Sequence, residues 1–207
     1  MTKVATTLDD RTEIRRLDHA EIGTAARICA RSMRDNPIHV RVFGAAPGPR
    51  ERRLERFFAA ILRYIEGRGV LLGAGIDNHP VGVLGMLPPA ACMPAAPDGL
   101  RLFSDLLACN SPLGLLRLYR WLSTWAEHDL PVPHWHLGPL AVAPEHQNRG
   151  IGTRLLRHGF SCTAASSAAL YLETDKPENV AFYARRGFTV VATVPVLTTP
   201  SWLMRRG

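Results

Sequence analysis

Lysine is nearly absent from this 207-residue chain: Lys3 and Lys176 are its only two, so arginine carries the net charge of +7. The arginines are scattered, with short doublets at Arg15-Arg16, Arg52-Arg53, Arg185-Arg186 and Arg205-Arg206. No helix-turn-helix, zinc or aromatic-basic pattern joins them, so no nucleic-acid partner is expected despite a pI of about 9.8. Long apolar runs are absent as well. No window reaches the roughly 18 residues of a membrane span, and the polar start MTKVATTLDDRTEIRR lacks a signal-peptide core. A cytoplasmic protein with no membrane partner is expected. Paired cysteines are also missing: Cys29, Cys92, Cys109 and Cys162 show no CxxC spacing, which fits reduced thiols better than disulfides or zinc. No cysteine has a histidine partner placed by a motif, so no acyl-enzyme nucleophile is evident. Repeats and low-complexity tracts are lacking too.

What remains is 46% apolar and 21% charged, enough for one core in one domain. Residues 1–11 carry no apolar periodicity and are expected to be disordered, leaving 12–207 as a single domain. Glu13 to Leu17 reads as a first strand, and Asp18 as the N-cap of a helix running to about Met33 and broken by Asn36-Pro37. Gly44 to Arg50 reads as a loop. The apolar steps Leu54, Phe57, Phe58, Ile61, Leu62 and Ile65 predict an amphipathic helix ended by Gly67 and Gly69. Val70–Ile76 and Pro80–Leu87 are predicted to form a hairpin around Asp77-Asn78-His79. A Pro-punctuated helical insertion is expected at about 90–133, with core packing as one reading and a lid or a homodimer face as others. Its acids Asp98, Asp105, Glu127 and Asp129 are candidate anchors for a cationic ligand.

The centre of the chain is His134 to Leu156, HWHLGPLAVAPEHQNRGIGTRLL. Its apolar run stops at Ala143-Pro144, and Gly150-Ile151-Gly152 opens a segment with Ile151, Leu155, Leu156 and Phe160 at helical spacing. The prediction is strand, tight loop, helix. Glycines let backbone approach a ligand closely, and the free N–H groups of a helix start attract phosphate oxygens. Ala168 to Glu173 then reads as a strand, so the stretch is a βαβ unit with parallel strands. A helix over Asn179–Arg186, opened by Pro177-Glu178 and capped by Gly187, precedes two last strands, Phe188–Val194 and Trp202–Arg205, separated by a Pro195–Pro200 turn. His134 and His136 share a strand face, with Trp135 opposite. A His-x-His pair suggests a metal, but no third ligand stands near it in sequence, so none is expected.

Gln147-Asn148-Arg149-Gly150-Ile151-Gly152 fits the Q/R-x-x-G-x-G/A signature of the GCN5-related N-acetyltransferases, or GNATs. Asn179-Val180-Ala181-Phe182-Tyr183-Ala184-Arg185-Arg186-Gly187-Phe188 looks like that family's tyrosine helix, at the family's separation. The wording around both motifs resembles the puromycin-type branch, which acetylates small amines. The resemblance spans nearly the whole chain and departs from the simplest members at the 90–133 insertion. It implies a mixed α/β fold with a mostly antiparallel, splayed central sheet, one parallel βαβ unit and helices on both faces. Acetyl-CoA is the implied cofactor, with its pyrophosphate on Gln147, Asn148, Arg149, Gly150, Ile151, Gly152 and Thr153. The pantetheine arm is implied to run along Leu140, Ala141 and Val142.

The resemblance also assigns chemistry. Tyr183 is the implied acid for the departing thiolate, and Asn179 bonds the pantetheine or caps its helix. A backbone N–H near Gly138-Pro139, at Leu140, is the candidate oxyanion donor, against a simple strand-end kink. His136 is the candidate base, with an acidic limb at roughly pH 6 to 7.5, and Glu173 is the competing base or amine anchor. The expected activity is direct transfer of an acetyl group to a small primary amine. A catalytically silent acyl-CoA sensor is the alternative from another class, and a dinucleotide enzyme is disfavoured because GxGxxG is missing.

Overall fold

The computed structural model describes residues 12–77, 79–92, 96–107 and 110–207, so the disorder expected for 1–11 lies outside the described residues. In chain order the elements are β1 (Glu13–Arg16), α1 (Ile22–Met33), α2 (Pro37–Phe43), α3 (Pro47–Arg68), β2 (Val70–Ile76), β3 (His79–Leu87), α4 (Ala96–Leu107) and α5 (Pro112–Glu127). They continue as β4 (His134–Val142), α6 (Ile151–Thr163), β5 (Ala169–Thr174), α7 (Pro177–Ala184), β6 (Thr189–Val196) and β7 (Thr199–Arg206). The strands form one sheet of seven in the order β1-β2-β3-β4-β5-β7-β6. Among the described residues only β4 and β5 pair in parallel, as the predicted βαβ unit requires, and every other neighbour is antiparallel.

Local chemistry explains most boundaries. Asp18 accepts from the Glu21 N–H and receives the Glu21 side chain in return, a capping box on a short 3-10 turn that runs straight into α1. Asn36-Pro37 does break α1, but Pro37 also opens α2, because a proline at a helix's first position gives up no needed donor. The cap comes from far away: the buried Asp175 carboxylate, just beyond β5, accepts from the Ile38 N–H at 2.8 Å. The loop expected over 44–50 is shorter, since α3 begins at Pro47. Arg50 sits buried in that helix and donates to the carbonyls of Arg34, Gly44 and Ala45. The turn expected over 195–200 shrinks to Leu197 and Thr198, both in the left-handed region at φ 49° and 68°, so β6 and β7 extend through both prolines. Pro195 is tolerated there because β6 is the sheet's edge strand. Asp77 has φ 48°, as a hairpin turn demands, and Asn78 lies outside the described residues.

Two cores lie on opposite faces of the sheet. One gathers α1, α2 and α3 around Phe43, Phe57 and Phe58, and the inner face of α5 adds Leu118 and Trp121 to it. The outer face of α5 leaves Leu113, Leu116 and Tyr119 exposed. The other core packs Ile151, Leu155 and Leu156 of α6 onto Leu72, Leu84 and Met86. At Gly159 a Cβ would stand 2.8 Å from Met86 Sδ and 2.9 Å from Leu84 Cδ2, so glycine sets how closely α6 lies on β3. That contact fixes where the first turn of α6 points.

Gly67 does not end α3 as expected; it lies inside the helix with nothing near its missing Cβ, and Gly69 ends it. At Gly69 a Cβ would meet the Met86 carbonyl oxygen at 2.1 Å, a backbone atom that cannot step aside. Gly69→Ala is therefore expected to destabilise the fold by about 3 kcal/mol or more, whereas Gly67→Ala should stabilise it by about 0.5–1 kcal/mol. Denaturant melts of the two variants check the pair, and equal effects would contradict this packing.

Candidate active site

The β4–β5 ladder is short. Its pairs are His134↔Ala169, Trp135↔Leu170 and His136↔Tyr171, and there it stops. β4 continues to Val142 held only by β3, through Leu84↔Leu140, Val83↔Ala141 and Gly82↔Val142. β5 continues to Thr174 held by β7. The two strands therefore part after His136, leaving an open edge along Leu140, Ala141 and Val142. Gly138-Pro139 sits at the parting: proline has no N–H to give, the peptide bond is cis, and the β3–β4 register slips opposite it between Leu84 and Met86. Gly85 fills that slip, since a Cβ there would lie 2.7 Å from the Gly138 oxygen.

At the far end of β4 the chain turns through Asn148 (φ 61°) and Gly150 (φ 81°), the latter in the N-cap position of α6. Among the described residues no side chain caps this helix start; the Thr153 N–H turns back to the Gly150 carbonyl at 3.0 Å, which leaves the Ile151 and Gly152 N–H groups to meet an anion. Exposed Gln147 braces the loop: its amide donates to the Val142 carbonyl at 3.0 Å and to the Ser32 hydroxyl at 3.4 Å. A second brace is the two-point contact of Arg31 with Glu145. Arg149 is exposed beside the cradle. The Thr153 hydroxyl accepts from Arg186, whose guanidinium lies 3.5 Å over the Phe182 ring, so α7 is tied to the first turn of α6. Asn179 is not its helix's cap: Lys176 holds that position, and the Asn179 amide donates to Thr174 at the end of β5. Tyr183 is half-buried, edge-on to Phe182 and Phe188. Burial raises its phenol, against a smaller opposing effect of Arg186, so the hydroxyl keeps its proton at neutral pH.

Where the strands part, the two candidate bases prove to be one unit. His136 Nε2 lies 2.9 Å from Glu173 Oε2, with the Glu173 side chain 4% exposed. Burial would depress the imidazole, but the Glu173 charge, helped by Cys92, overrides it and holds His136 well above the ordinary histidine range. His134, buried one step earlier, directs Nδ1 at the Val132 carbonyl (2.9 Å) and Nε2 towards Asp129 (3.1 Å). The Tyr171 ring stands edge-on to both imidazoles. Cys92 completes the cluster. Burial pushes its thiol up, yet the two neighbouring histidines bring it down to about 7. Two expectations change here: a histidine-partnered cysteine does exist, and so does a third potential ligand beside His134 and His136. Register could have revealed it. Leu87 pairs with His136, so the chain leaving β3 must pass over the start of β4 within a few residues.

Of the insertion's acids, only Asp129 reaches this cluster among the described residues. Asp105 pairs with Arg63, Glu127 is exposed at the end of α5, and the Asp98 side chain lies outside the described residues.

A sheet that opens beyond its one parallel pair, with an uncapped helix start at the end of the freed strand, is the architecture of the acetyltransferases that the sequence resembles. Residues 39–188 match the model of the acetyltransferase (GNAT) family, and the chain belongs to that family. Its fold is similar to a histone acetyltransferase HPA2 and related acetyltransferase from Corynebacterium glutamicum, at 20% identity over 95% of this chain and 96% of that one, with a TM-score of 0.70. It is also similar to an agmatine N-acetyltransferase at 14% identity, 95% and 97% coverage and a TM-score of 0.63. A third likeness is to PaiA N-acetyltransferase from Thermoplasma acidophilum, solved with coenzyme A, at 16% identity, 94% and 98% coverage and a TM-score of 0.57. No helix among the described residues is long and apolar enough to cross a membrane.

The His136–Glu173 contact makes a direct prediction. A carboxylate partner favours the imidazolium, so in metal-free protein the His136 ring should titrate clearly above pH 6.5 by NMR. In Glu173→Gln the attraction disappears while burial remains, and the midpoint should fall clearly below that of the wild type. An unmoved midpoint would show that the two groups are not coupled.

Proposed function

We propose that this protein transfers the acetyl group of acetyl-CoA to a primary amine of a small molecule, by direct attack within a ternary complex. The observation that carries the reading is the His136–Glu173 pair placed where β4 and β5 separate. An acceptor entering there meets a base at the edge along which the thioester arm lies.

Acetyl-CoA supplies the activated acyl group, and the chain's residues hold and polarise it. Arg149, Gly150, Ile151, Gly152 and Thr153 receive the pyrophosphate on the uncapped start of α6, with Gln147 and Asn148 shaping the turn. The open edge of Leu140, Ala141 and Val142 offers backbone groups to the pantetheine, and Asn179 flanks it from the end of β5. The Leu140 N–H, next to a proline that has none, serves the developing oxyanion. An alkylamine has a pKa of about 10.4, so only about one molecule in a thousand is nucleophilic near pH 7. His136 removes that proton, directly or through a water, and the Glu173 carboxylate steadies the imidazolium that forms. Tyr183 returns a proton to the thiolate as it leaves. Glu173 and Asp129 set two carboxylates beside the entrance, which favours a cationic acceptor in an otherwise basic chain. The agmatine enzyme of the same fold fits this choice.

The pH dependence is no longer that of an isolated imidazole. A base must be deprotonated to act, and its Glu173 partner raises its pKa, so kcat/KM should climb with pH along a limb displaced to the alkaline side of the ordinary imidazole range. Glu173→Gln should bring the limb back towards about 6.5, and His136→Ala should abolish it. A limb that stays at pH 6 to 7.5 in wild type and in Glu173→Gln would remove His136 from the role.

Donor binding and chemistry separate in two other variants. Gly150→Val forces a β-branched residue into the left-handed region and should reduce acetyl-CoA affinity by at least about tenfold in calorimetry. Tyr183→Phe should keep that affinity within a few-fold while lowering kcat by about 100-fold or more. A screen of small amines following thiol release decides between this reading and a silent acyl-CoA sensor: tight acetyl-CoA binding with no transfer to any amine would favour the sensor.

A further inference from the structure

We propose that Cys92, His134 and His136 form a binding site for one thiophilic divalent cation, zinc by its chemistry, at the mouth of the cleft. One ligand atom from each residue lies within 4.8 Å of the other two. Tetrahedral zinc with bonds of about 2.0–2.3 Å holds such atoms about 3.3–3.6 Å apart, so a small inward turn of the side chains closes the site. A thiolate with two imidazoles selects zinc over the hard cations, which prefer oxygen.

Hydrogen bonding already sets both rings for coordination. His134 commits Nδ1 to the Val132 carbonyl, which leaves Nε2 as the atom it can offer. That Nε2 is buried, on a residue 6% exposed, and makes no hydrogen bond. Asp129 Oδ1 is 3.1 Å away but out of line for one, and it accepts instead from the Leu130 N–H. His136 is oriented the other way: its Nε2 faces Glu173 at 2.9 Å, so Nδ1 is the free atom. A histidine whose second nitrogen donates to a carboxylate or a carbonyl is the usual partner arrangement around a bound metal. The Tyr171 ring pins both imidazoles at 5.1 and 5.7 Å between centroids. Cys92 is held near them because the Tyr64 hydroxyl donates to the neighbouring Ala91 carbonyl at 2.6 Å. Zinc with one thiolate keeps one positive charge, which Glu173 and Asp129 face. Three protein ligands leave a fourth position for water or the Asp129 carboxylate.

A bound ion takes the Nδ1 lone pair of His136, so it should arrest acetyl transfer. That consequence rests on His136 being the base proposed above; the binding site does not. The test is titration of chelator-treated full-length protein with Co²⁺, followed by Zn²⁺. One cobalt per chain should bind with a thiolate-to-metal charge-transfer band that zinc abolishes. Cys92→Ser should lose the band and at least about tenfold in affinity, as should His134→Asn, while both keep acetyl-CoA affinity. Should His134→Asn fail to fold, Cys92→Ser decides, because that thiol is half-buried and belongs to neither core cluster of the described residues. Absence of the band in wild type, or equal binding by Cys92→Ser, overturns the site. A band together with undiminished acetyl transfer in zinc upholds the site and removes His136 as the base.

Discussion

The parting of β4 from β5 after three residue pairs is the constraint on which the rest of the molecule depends. A sheet interior normally pairs every strand on both sides, because an unpaired buried backbone group costs about as much as a lost hydrogen bond. Here the cost is distributed. β3 keeps one side of β4 satisfied to Val142, β7 keeps one side of β5 satisfied to Thr174, and the inner edges face each other across a gap. The surrounding elements stabilise that gap. Asp175 reaches from the end of β5 to cap α2, Asn179 ties α7 to Thr174, and Gln147 ties the turn after β4 back to Val142. Two of these tethers anchor the β5 lip to a helix, and the third holds the turn that leads from the β4 lip into α6.

The sequence carries local signals better than distant ones, and the elements reflect this. The apolar steps of α3 and α6, the proline and glycine punctuation and the βαβ order were legible because each depends on residues within one or two turns. Where α3 begins was not legible: Pro47 and Pro49 look like loop residues until Arg50 is seen gathering the carbonyls of 34, 44 and 45. The long β6–β7 hairpin was hidden for a similar reason, since Pro195 argues against a strand unless that strand is known to be an edge. Among the candidate site residues, the glycine loop and Tyr183 are marked by motifs. The coupling of His136 to Glu173 is not, because it depends on register between strands 37 positions apart, and Cys92 depends on the β3–β4 register. Along either strand alone, His136 and Glu173 look like rival bases; the pairing of β4 with β5 makes them partners.

Burial explains why these polar groups gather. A carboxylate as enclosed as Glu173 is costly to keep charged unless a cation faces it, and its facing neighbour is His136. The same attraction makes His136 a stronger base and a less frequently vacant one, since a raised pKa keeps the proton on longer. Cys92 and Asp129 then crowd the same two rings, so protons and cations compete for few lone pairs. Tyr183 escapes this competition because it belongs to the other face of the sheet, packed with Phe182 and Phe188 against the α6 core. His136 reaches the opening from the opposite face, where Tyr171 and the α1–α3 layer lie. In a continuous sheet a base and an acid so placed would never meet one substrate. In the transfer proposed above, the split between β4 and β5 is what lets a group from each face reach one reacting centre.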